Sequence, residues 1–184
     1  MEEKGVAEEE EDSWEKTEVR FAINKYEDIF SDFDPRPLPQ RGFSDDFLSE
    51  AKRAALVKEE NINFIFMVPK GQRDIKKEGK LKERLEKYFN KHYKIIKDKK
   101  DAMVKEGSIL TIVGIIMMMV ATYLLFKYKS DSLWASFVII LFEPAGWFIF
   151  WHGLDNVFFE PREIHPDLEF HKKMANAKIK FVSV

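Results

Sequence analysis

Residues Leu133–Trp151 read LWASFVIILFEPAGWFIFW, an apolar run interrupted by one carboxylate, Glu143, with Pro144 directly after it. A helix needs about 20 mostly apolar residues to cross a hydrocarbon core of about 30 Å. Upstream, Ser108–Phe126 is an uncharged stretch of the same length. The two runs predict a transmembrane helical hairpin within residues 106–153, with spans at about 108–126 and 133–151. Trp134 near one end and Trp151 near the other stand where interfacial aromatic anchors are found.

Antiparallel pairing of the two runs about Met117 and Phe142 puts Gly114 level with Ala145 and Gly146. Small residues at one depth let two helices approach closely in lipid. Pro144 has no N–H to give to the carbonyl of Ile140, which predicts a freed oxygen and a kink at mid-span. Glu143 is the residue that stands out, because an acid at mid-membrane costs roughly 2.5 kcal/mol or more and is a functional candidate by default. Three roles compete for it: a hydrogen-bond donor stapling the hairpin (to Thr111 or Thr122, or to a freed carbonyl) or an oligomer interface, a station on a proton or ion path, or a contact to a membrane partner.

Net charge is only −2, but it is unevenly spread. Residues 1–18 hold nine acids against Lys4 and Lys16, while residues 70–105 hold fourteen Lys or Arg against six acids. The acidic segment 1–16 has too little apolar surface to offset chain entropy and is expected to be disordered. Such a tail could shield the basic segment or meet a basic partner. Lys94, Lys97, Lys99, Lys100 and Lys105 crowd the entry to the first span. They predict contact with anionic lipid headgroups and, by the positive-inside bias, a multi-pass cell-membrane protein with both termini cytoplasmic. Without cysteine, thiol nucleophiles, disulfides and Cys-based metal centres are excluded.

Residues 17–105 predict a small α/β cytosolic domain, a three-stranded sheet with two helices. Val19, Phe21 and Ile23 alternate with polar neighbours, as in a half-buried strand. Ile62, Phe64, Phe66 and Val68 face one way and Ile65 and Met67 the other, which predicts a central strand covered on both sides. Ser44, followed by Asp45 and Asp46, is the N-cap of one helix, and a stripe from Leu81 to Ile96 marks a second. Large side chains in the proline-punctuated loop 24–42, Phe33 among them, are expected to pack on the domain. Residues 154–184 are read as a C-terminal cytosolic segment whose alternating end, Ala177–Val184, completes the sheet.

The block Phe30-Ser31-Asp32-Phe33-Asp34-Pro35-Arg36-Pro37, running on to Phe43–Leu48, and Glu143, Gly146-Trp147 and Trp151 in the second span, carry a resemblance. Over about residues 27–160 the chain resembles an uncharacterised prokaryotic family of small two-span membrane proteins. That resemblance implies the architecture and no activity. Where the family pattern closes the second span on an Arg-Pro-Leu-Glu-like motif, this chain has His152-Gly153-Leu154-Asp155, so no Arg–Glu pair carries over.

No phosphate loop, dinucleotide-binding glycine pattern or nucleophile elbow is present, and the four histidines match no ligand spacing. The sequence therefore predicts no catalytic residue, metal or cofactor, and nothing that points to nucleic acid. It predicts a non-enzymatic, membrane-anchored interaction or assembly module whose partners are the bilayer and a second copy or a membrane protein. The alternative is a small channel or accessory transporter subunit using Glu143.

Overall fold

The structure, a computed structural model, describes residues 17–58, 62–128 and 133–184. The tail expected to be disordered at 1–16, and the turn between the two apolar runs at 129–132, lie outside the described residues. The chain is mostly helical, with strands β1 (Glu18–Ala22), β2 (Asn63–Val68) and β3 (Lys178–Ser183) and helices α1 (Asp45–Val57), α2 (Ile75–Tyr128), α3 (Leu133–Phe158) and α4 (Glu160–Asn176). It divides into two units, residues 1–94 with 167–184, and residues 95–166.

In the first unit the strands form one parallel sheet in the order β1-β2-β3. Parallel neighbours need crossovers, and right-handed crossovers stepping the same way across a sheet put their helices on one face. The register aligns Val19 with Phe64 and Ile179, and Phe21 with Phe66 and Phe181, on the face that carries the core. Phe47 of α1, Leu85 and Phe89 of α2 and Phe170 and Met174 of α4 fill that core. Phe47 lies edge-on to Phe64 at 6.2 Å, and Phe89 edge-on to Phe170 at 5.6 Å. The core cluster lies on one face of β2 only, although Ile65 on the other face is buried and Met67 half-buried. On its far side Ile65 is flanked by the exposed Arg20 and Lys180 and stands outside the core cluster.

The expectation of two helices in this unit is also corrected. A third, α4, precedes β3 and supplies Phe170 and Met174, one turn apart on its inner face. Its buried Lys173 donates to the carbonyl of Lys58 at 2.7 Å, meeting a backbone acceptor just past the end of α1, and pairs with Glu169 at 2.9 Å. At the other end of α1, Ser44 accepts from the N–H of Phe47 at 3.1 Å, the cap the sequence predicts.

A buried polar cluster fixes the start of α2. Tyr26 donates to Glu78 at 2.8 Å and accepts from the N–H of Asp74, while Arg73 forks onto both oxygens of Glu78 at 2.8 and 2.9 Å. The Arg73 guanidinium holds the Glu78 carboxyl below its usual range. In the loop that follows Phe30, Asp34 pairs with Arg36 and accepts from the N–H of Gly42 at 2.8 Å. These bonds hold its carboxyl well below the usual carboxylate range and stiffen a tip on which Phe33 does not pack at all, being 98 % exposed.

Candidate functional site

In the second unit α2 and α3 pack on a seam of small residues. A Cβ added to Gly114 would come within 2.6 Å of the backbone nitrogen of Phe150 and 2.7 Å of the carbonyl oxygen of Gly146. One at Gly107 would meet the carbonyl of Gly153 at 2.7 Å, and one at Gly153 would meet the nitrogen of Thr111 at 2.5 Å. Gly107 and Gly114 are seven residues apart, as are Gly146 and Gly153, so the glycines meet in register on two successive levels. The seam continues away from them through Ala121 and Ile139, both buried. A seven-residue repeat keeps one helix face turned to its partner, and glycine lets the two backbones touch.

Sequence reasoning found the Gly114 and Gly146 level but not the Gly107 and Gly153 level, although the spacing of seven was its signal. Ala145, expected on the seam with them, is half-buried beside it.

With the small residues turned inward, the large ones turn out. Ile140 is 72 % exposed, Phe148 69 % and Trp147 60 %. Both helices are long and apolar enough to cross a membrane, and only 11 % and 17 % of their most apolar windows is buried. Trp134 and Trp151 are exposed at the two ends of the apolar run 133–151 within α3. Lys94, Lys97, Lys99 and Lys105 are exposed and Lys100 half-exposed along α2, without ion pairs among the described residues.

Glu143 lies at the middle of α3, beside Met118 and Thr122 of α2, and Pro144 lies inside the same unbroken helix. Its carboxyl is exposed on the outside of the hairpin, at an open groove of about 540 Å³ that Met118, Thr122, Leu125, Pro144 and Trp147 also line. The bond to Thr111 or Thr122 does not form. Thr111 donates to the carbonyl of Gly107 at 2.8 Å and Thr122 to that of Met118 at 2.9 Å, each within its own helix. Glu143 thus has no hydrogen bond or ion pair among the described residues, and the hairpin closes without it.

The proline-loop acids serve local structure: Asp28 accepts from the N–H groups of Asn24 and Lys25, and Asp34 holds the loop as described. Among the described residues, no three His, Asp or Glu side chains are grouped as a metal site would need. His92 stacks on His171 at 5.7 Å in the first unit, a pairing that their distance in sequence concealed. No family model, curated protein or solved structure matches the chain.

Proposed function

We propose that the chain is an integral membrane protein whose hairpin crosses the bilayer and self-associates through the groove at Glu143, carrying the sheet unit as a non-enzymatic interaction module. The observation that carries this reading is the outward, unbonded carboxyl of Glu143 on a hairpin already closed by glycine. In hydrocarbon an unsatisfied polar group costs several kcal/mol. A second copy related by an axis along the membrane normal brings an identical carboxyl to the same depth, where two neutral acids can exchange hydrogen bonds.

Pairing of β3 with β2 supports a single side for both ends of the hairpin, because the chain leaves β2 through one span and returns to β3 through the other. The basic approach to the first span supports the cytoplasm as that side. The unbroken α2 narrows the headgroup contacts. At 1.5 Å per residue, Lys105, Lys100 and Lys99 stand about 5 to 14 Å before Ser108. Of these only Lys105 lies within a Debye length of about 8 Å, and Lys97 and Lys94 stand farthest, about 17 and 21 Å before Ser108.

Glu143→Gln keeps a donor, whereas Glu143→Leu removes it. Self-association of the full chain, followed by energy transfer between labelled copies in vesicles, should survive Gln and weaken with Leu by roughly 0.5–2 kcal/mol. Unchanged association in Leu would remove Glu143 from the interface. A proton leak in proteoliposomes that Gln abolishes, with association intact, would replace this reading with the channel one.

A further inference from the structure

The sheet unit carries a second groove, of about 490 Å³, between the segment after β1 and the first turns of α2. Its floor is apolar, with Phe30, Pro39 and Leu81, and Lys77, Lys80 and Lys87 stand along its wall. The three lysines recur at helical spacing on α2 and have no ion pair among the described residues. The fourth cation, Arg84, is already engaged, stacked over Phe30 at 4.6 Å and bonded to the carbonyl of Arg41. Glu27 and Glu83 leave the lining with a basic excess.

We infer that this groove is the docking site of the chain's own acidic segment, residues 1–16. The segment holds eight carboxylates against Lys4 and Lys16, the charge opposite to the lysine wall. Reach is ample. Thr17 lies at the start of β1, and the groove begins beyond that strand's far end at Tyr26. Five strand residues span about 17 Å, and the acids from Asp12 back to Glu8, five to nine residues before Thr17, reach about 17 to 30 Å as extended chain. Tethering keeps the segment at a high effective concentration, conventionally in the mM range for a short linker.

Zero-length carbodiimide coupling of carboxylates to lysines, on the full chain in neutral detergent at low salt, tests the assignment. Links from Glu8–Asp12 should fall on Lys77, Lys80 and Lys87, within one chain in mixtures of isotopically light and heavy protein. In Lys77→Glu/Lys87→Glu the link to Lys80 should drop at least tenfold. Deleting residues 1–16 should raise acetylation rates of the three lysines several-fold while leaving that of Lys52, paired with Asp167, unchanged. Links spread evenly over Lys94–Lys105, or found only between light and heavy chains, would overturn the inference. So would unchanged acetylation after deletion, which would leave the groove to an acidic partner peptide or an anionic amphiphile.

Discussion

The two units use large and small side chains in opposite ways. In the sheet unit Phe64, Phe66 and Phe89 are fully buried, while Arg20, Lys178 and Lys180 face out. In the hairpin the buried positions are Gly107, Gly114, Gly146 and Gly153, and Trp147, Phe148 and Ile140 face out. Burying a large apolar side chain is favourable only where water is the alternative; against lipid tails the gain comes from close backbone approach instead. The inversion is what two solvents for one chain would produce, and it supports the proposed membrane reading independently of span length.

The largest effect should come from emptying the aromatic core. Phe66→Ala should destabilise the sheet unit by about 3–5 kcal/mol in denaturant titrations of the detergent-solubilised protein, whereas Phe148→Ala on the outer face of α3 should be near neutral. Equal losses at the two sites would break the comparison.

Filling the seam should come next. Gly114→Leu drives a side chain into the backbone at Phe150 and Gly146, which cannot yield, and should weaken the hairpin by about 1–3 kcal/mol. Gly79 lies on α2 with nothing within 4 Å of an added Cβ, so Gly79→Ala should stabilise by about 0.5–1 kcal/mol. Opposite signs at two glycines of one helix, read by thermal unfolding, would sharpen the contrast. Tolerance of leucine at Gly114 would dissolve it.

Acidification gives the smallest effect and should fall on the sheet unit. Burial holds the His171 imidazole below its usual 6.5, helped by His92 and Lys52 and opposed by Asp167. The folded state thus binds the proton less readily than the unfolded one. Its contribution is present above pH 6.5 and is lost as pH falls through the lower folded value. Glu78, whose pKa is depressed from 4.5, adds a second loss below that pH. His171→Phe should flatten the first phase in pH-resolved unfolding monitored in the sheet unit. A first phase that persists in this variant would assign it to another group.

Much of this contrast was legible in the sequence because it is written in short-range periods. The alternation of Ile62 to Val68, the Ser44 cap and the Gly114–Gly146 level are patterns within a few residues or one register. The helix α4 was hidden because Pro161, Pro166 and dense charge obscure the spacing of Phe170 and Met174. Lys173 reads as a solvated charge and is buried at the end of α1. That Ile65, on β2's second face, lies outside the core cluster was illegible for another reason. Alternation shows which residues share a face, but only the strand order and crossovers decide whether anything lies over it.

The position of β3 also sets an order of events. It pairs along the whole of β2 but is made last, after both apolar helices. While the ribosome is still producing the hairpin, β2 stands with one edge unpaired, the condition that invites misassociation. If the hairpin crosses the bilayer as proposed, completion of the sheet has to wait for membrane insertion, and a chain stalled between the two apolar helices would carry an open edge.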